Sequence, residues 1–478
     1  MIPNVRTVFY TCLLAGPLLL GGSPASAQAG LGPLDRTLDR TLGRPLPPIE
    51  RRIRDDVEAV SEDAAEVAEE LQDGIANAAP DAVLDDAVGT LSGAVQGVVG
   101  TAMGAFAADV DPFGNVIEAN VLVVLVNDQQ LAAVQAAGLN IVRSRPLHGL
   151  GLTLVTVQGS KSHNLADEAL QLRRSVPGAA VDYNHLYRFQ GHADETPKSS
   201  SATADALSNH RAAADDNEAK PADGALRIGM IDSAVEPGHR SLRDVHIVAE
   251  DFVTHDAARP TGHGTAVASI IAGNSAVQTQ IFSASVFFQV PQHAPGASTE
   301  SLIAALDWLA SQEVHAINMS LAGPANDLLE VALRALSARD SFAVIAAVGN
   351  NGPSGEPMYP GAYPSVIGVT AVDREQKVFR YANRGEHVDF AALGVNVKVA
   401  GSDGGWRIES GTSMASPRIA VLAAEAFRDR GATGPQLVQL LADSATDLGQ
   451  QGVDPVYGHG LVTRLPAVVS RAKTKPKD

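Results

Sequence analysis

Residues 410–420 read "SGTSMASPRIA" and set Ser413 between a Gly-Thr pair and a Met-Ala pair, at the head of a long apolar stretch. A serine hydroxyl is a weak nucleophile until a neighbouring base takes its proton, so this serine gains meaning only if a histidine and an acid can reach it. Two upstream strings offer them. "IDSAVEPGH", residues 231–239, places Asp232 at the end of the apolar run "LRIGMID", and "TGHGTAVASIIAG", residues 261–273, places His263 at the start of a helical pattern.

Between and beyond these strings, short β-rich runs alternate with helical ones. "LRIGMID", "IFSASVFF", "HAINMSL", "FAVIAAVG" and "SVIGVTAVD" read as buried strands; "GTAVASIIAG", "TESLIAALDWLAS", "DLLEVALRALSA" and "SMASPRIAVLAAEAF" read as helices. The expected fold class is therefore α/β, a parallel sheet with helices on both faces. In such folds reactive groups gather at the carboxyl ends of strands, where Asp232, His263 and Ser413 would all fall.

"IDSAVEPGH", "TGHGTAVASIIAG", "AINMSLAG", "AAVGNNG" and "SGTSMASPRIA", in this order, resemble the subtilisin-like serine proteases over nearly all of residues 224–466. The resemblance implies a serine endopeptidase in which Ser413 attacks the scissile carbonyl, His263 carries the proton, Asp232 orients the imidazole and Asn350 donates to the oxyanion beside the Ser413 amide. It also implies a substrate cleft lined by Ser320, Leu321, Ala322 and Gly323, with Met358 at the floor of the slot for the side chain preceding the cleaved bond. Ala234, Ala266, Ala322, Arg418 and Val421 depart from the family's usual residues, at positions that neither move protons nor hold the oxyanion. A catalytically inactive peptide-binding relative is one alternative. A hydrolase with Ser413, Asp447 or Asp454, and His459 is another; it leaves "GHGT" and "VGNNG" unexplained.

Upstream, residues 116–189 read as strand, helix, strand, strand, helix, strand, the order of a ferredoxin-like unit. Next to a subtilisin-like domain this unit resembles the family's inhibitory, folding-assisting propeptide, with "YNHLYRFQGHADET" as the tail that enters the cleft. The polar run 191–223 reads as an exposed linker, and the precursor is expected to cut itself between about Phe189 and Gly224. The expected organisation is a signal peptide over 1–27, a helical and glycine-rich segment over 28–111, the inhibitor-like unit over 112–190, the linker, and the peptidase domain over 224–478.

The first residues carry Arg6, an apolar run and a small-residue site ending at Ala27, the pattern of a secretory signal, so the expected location is periplasmic or extracellular. Cys12 is the chain's single cysteine and would leave with that signal, which removes disulfides and thiolate chemistry from the mature protein. Residues 50–72 carry one apolar helical seam. The glycine ladder of 87–108 reads as a tether or soluble hairpin in preference to membrane contact. A net charge of −18 argues against nucleic acid as a partner and leaves peptides, proteins and the chain's own propeptide. No cofactor or metal site is expected; calcium is left open, no D-x-D-x-D-G loop being present.

Overall fold

The computed structural model describes residues 107–136, 139–160, 164–189, 224–255, 257–275, 277–290, 293–339 and 342–466. The expected signal, the helical seam at 50–72, the glycine ladder and the linker lie outside the described residues, which begin just before the short strand β1 (Ala108–Val110).

The chain continues through β2 (Val116–Val126), α1 (Asp128–Ala136), β3 (Asn140–Leu147), β4 (Leu152–Gln158), α2 (Leu165–Ser175) and β5 (Ala180–Phe189). Strands β3, β4, β2 and β5 lie side by side in that order, each antiparallel to its neighbour, and β1 folds back on β2. Residues 108–110 are thereby tied to the unit that follows them.

The apolar run "VLVVLV" at the end of β2 does not alternate with polar residues because both of its faces are covered. Leu122, Val124 and Val126 pack with Val134 of α1 and with Ala169 and Leu172 of α2. Val121, Val123 and Leu125 point the other way, into a core shared with helices of the second half of the chain.

That half runs β6 (Leu226–Asp232), β7 (His246–Asp251), α3 (Gly262–Asn274), β8 (Thr279–Ser285), β9 (Phe287–Phe288), β10 (Gly296–Ser298), α4 (Thr299–Ser311), β11 (Ala316–Met319), β12 (Leu321–Ala322), α5 (Asp327–Ser337), β13 (Ala343–Ala347), β14 (Ile367–Val372), β15 (Phe390–Leu393), β16 (Val397–Ala400), β17 (Trp406–Glu409), α6 (Thr412–Arg430) and α7 (Gly434–Ser444). Its main sheet has the order β15-β14-β13-β11-β6-β8-β7 and is parallel throughout. Helices α3 and α6 share one core with the sheet, and α4 and α5 share the other, so both faces are covered.

The two halves meet through α4 and α5, whose first-turn N–H groups need acceptors. Asn184 Oδ1 accepts from Glu300 N at 3.0 Å, and Asp182 Oδ2 accepts from Asp327 N at 2.9 Å. Strand β5 thus supplies oxygens to the positive ends of both helices. Its last residues also join the second half by strand pairing: Leu186 and Tyr187 with β10, Arg188 and Phe189 with β12.

Candidate active site

Asp232 ends β6 and is fully buried. Its carboxylate accepts from His263 Nδ1 at 2.8 and 3.0 Å and from Ser233 N at 2.7 Å. Nδ1 therefore carries a proton, and in the neutral ring Nε2 is the nitrogen with the lone pair. That Nε2 is buried and has no hydrogen-bond partner among the described residues.

His263 sits in the first turn of α3, and the next residue must be glycine: a Cβ on Gly264 would lie 2.2 Å from the Ser233 carbonyl oxygen. Ser233 Oγ accepts from Gly264 N at 2.8 Å, which locks the helix start onto the end of β6.

Ser413 opens α6 and is buried. Four residues on, Pro417 has no N–H, so the Ser413 carbonyl has no helical donor and needs another. Ser320 Oγ donates to it at 3.0 Å. Conversely Ser413 Oγ donates to the Ser320 carbonyl at 3.1 Å rather than to His263. Asn318 Nδ2 donates to Ser320 Oγ at 2.9 Å and completes a polar knot beneath the serine.

Asn350 follows Gly349, whose φ of +104° suits glycine alone. Its side-chain oxygen accepts from Thr412 N at 3.2 Å and Thr412 Oγ1 at 3.0 Å. These bonds fix the amide with its oxygen toward Thr412, so the NH2 end faces away from it. The fully buried Asn383 was not singled out by the sequence: its Oδ1 accepts from Asn351 N at 2.7 Å and its Nδ2 donates to Glu356 O at 2.7 Å. It clamps the loop that carries Asn350, and no local pattern in "RYANRGE" announces this.

Of the expected cleft residues, Ser320 belongs to the polar knot, while Leu321 and Ala322 pair with Phe189 and Arg188. Gly323 lies under the Tyr187 ring, where an added Cβ would come within 2.6 Å, and Tyr187 is fully buried with its hydroxyl donating to Pro324 O at 3.0 Å. Met358 is half-buried and packs on Gly349, where a Cβ would meet its Sδ at 2.8 Å. Phe189 lies over the imidazole of His263, with ring centroids 4.5 Å apart and planes 26° apart.

A model of the subtilase family matches residues 223–460. The chain is 31% identical over 250 residues to a subtilisin of Bacillus pumilus, a match covering 50% of this chain and 88% of that protein. It is 30% identical over 249 residues to the minor extracellular protease Epr of Bacillus subtilis (strain 168), spanning 37% of that protein's length. Fervidolysin from Fervidobacterium pennivorans, a keratinolytic enzyme related to subtilisin, superposes with a TM-score of 0.55 at 17% identity, over 74% of this chain and 61% of its own, a likeness of fold. With the curved parallel sheet, the Asp232–His263 contact at its strand ends and Ser413 at a helix start, these matches show that the chain belongs to the subtilase family of serine proteases.

Proposed function

We propose that the chain is an endopeptidase made as a precursor, and that the unit ending in β5 is its built-in inhibitor. In this reading Ser413 Oγ leaves the Ser320 carbonyl, gives its proton to His263 Nε2 and bonds to the scissile carbonyl carbon. Asp232 holds the imidazole in the required tautomer. The oxyanion is met by the Asn350 amide and the Ser413 N–H. The proton on Nε2 then passes to the leaving amine as the C–N bond breaks, and water releases the acyl group by the same route.

The observation that carries the reading is the docking of β5: an extended segment of the same chain pairs with β10 and β12 and ends with Phe189 against His263. Phe189 pairs with Leu321, the residue after Ser320, whose carbonyl holds the Ser413 hydroxyl, and Gln190 follows Phe189 in the sequence. We therefore take Gln190–Gly191 as the bond for self-cleavage. Secretion under the amino-terminal signal, with cleavage after Ala27, completes the proposal.

The test is to purify the full precursor and sequence the new amino terminus that forms. Wild type should yield a chain starting at Gly191, and Ser413→Ala should stay whole. A Ser413→Ala protein that matures at the wild-type rate would remove self-processing from the proposal.

A further inference from the structure

We propose that Phe287 is a specificity-determining residue, selecting a flat aromatic side chain two positions before the cleaved bond. The proposal rests on the reading above, in which Gln190 precedes that bond and Phe189 stands one residue earlier. Phe287 is fully buried, and its ring lies 3.8 Å from that of Phe189 with 20° between the planes. The opposite neighbour of Phe189 is the imidazole of His263 at 4.5 Å and 26°. Three near-parallel rings therefore form one stack, and the docked segment supplies the middle one.

A slot walled on both sides by flat groups rewards a flat occupant. An aromatic ring meets each wall across its whole area, a branched aliphatic chain meets each by its edges, and a methyl group leaves a gap. The walls are also held in place. Phe287 pairs with Ala297 of β10, and Ala297 pairs in turn with Tyr187 of β5, so one strand residue sets both the wall and the segment that fills the slot. His263 is fixed by its two contacts to Asp232. Stacking of this kind is worth about 2- to 12-fold in rate or affinity beyond area burial, and that is the discrimination expected.

The experiment uses the mature enzyme released by the full chain's own processing. Chromogenic amides of acetyl-Tyr-Arg-X-Gln, with X as Phe, Leu or Ala, are compared by kcat/KM on wild type and on Phe287→Leu. Wild type should prefer Phe over Leu by about 2- to 12-fold, with Ala poorer still, and Phe287→Leu should bring the Phe-to-Leu ratio close to one. If Phe287→Leu does not fold, Phe189→Tyr and Phe189→Leu in the full precursor read the same slot: Tyr should process within about twofold of wild type and Leu should slow by the stacking factor. A wild type that cuts the Leu peptide as well as the Phe peptide, a Phe287→Leu enzyme that keeps the preference, or a Phe189→Leu precursor that processes at the wild-type rate overturns the proposal. Failure of the underlying reading looks different: the mature chain then does not begin at Gly191.

Discussion

Two histidine–carboxylate contacts in this chain differ in a way that separates their roles. Asp232 and His263 touch at 2.8 Å, both from the peptidase half, with the carboxylate held further by Ser233 N. Glu118 and His255 stand 3.8 Å apart across the junction between the halves, Glu118 on β2 and His255 in the loop after β7. Glu118 Oε2 accepts from Asn184 Nδ2 at 2.6 Å; Glu300 of α4 lies close by, paired at 2.8 Å with Arg143 of β3. Burial pushes Glu118 up to about 7 and His255 down to about 4, the latter helped by Arg143 and Arg259. The short contact orients a ring. At the long one, burial favours the uncharged form of both partners.

Removing the orienting partner should have the largest effect. Asp232→Asn favours the wrong imidazole tautomer and should lower kcat by about 10⁴-fold with the circular dichroism spectrum unchanged. A fall of less than tenfold would make the Asp232–His263 contact a structural one. Asn350→Ala should come next, at about 10²- to 10³-fold in kcat with KM little altered.

Asp232, His263 and Ser413 were legible because each lies in a short string that fixes its own local geometry: a strand end at Asp232, a glycine after His263, a helix start at Ser413. Strands β6, β8, β11, β13 and β14 of the parallel sheet were legible for the same reason, as apolar runs of the right length; the edge strands β7, "HIVAED", and β15, "FAAL", were not. Glu118, His255 and Glu300 gave no such signal, since their burial follows from a docking that brings together residues far apart in the chain. One trace existed. The unbroken run "VLVVLV" in β2 has an apolar set for each face, one more than a free-standing sheet with helices on one side would bury.

The junction contact should reveal itself through pH. A carboxyl raised to about 7 favours docking fully below its free value of about 4.5 and loses that contribution as pH rises through 7. An imidazole lowered to about 4 contributes above its free value near 6.5 and loses it as pH falls through 4. In wild type the two slopes oppose each other, and Glu300, also raised by burial and relieved in part by Arg143 and Arg145, tilts the sum toward acid. Affinity between the two halves of the Ser413→Ala protein, supplied as a nicked complex, should weaken only gently from pH 5 to 7. His255→Gln should steepen that loss to roughly tenfold or more, and Glu118→Gln should reverse the slope. Identical profiles for all three proteins would show that the long contact carries no proton.

The smallest effect belongs to the slot beside Gly349. Met358→Gly should raise kcat/KM about fivefold on a peptide with Phe immediately before the cleaved bond and leave the Ala peptide unchanged. No gain would show that Met358 turns away from the substrate.

The missing N–H of Pro417 reaches further than the helix it interrupts. By sending the Ser413 carbonyl to Ser320, it makes a single residue the common datum for two features: Ser413 is hung from Ser320, and β5 is laid along Leu321 and Ala322, the two residues that follow it. A small shift of this segment would carry Ser413 and β5 together and preserve their separation. Alignment is thus referenced locally, as in a jig, and does not depend on tolerances accumulated across the whole sheet.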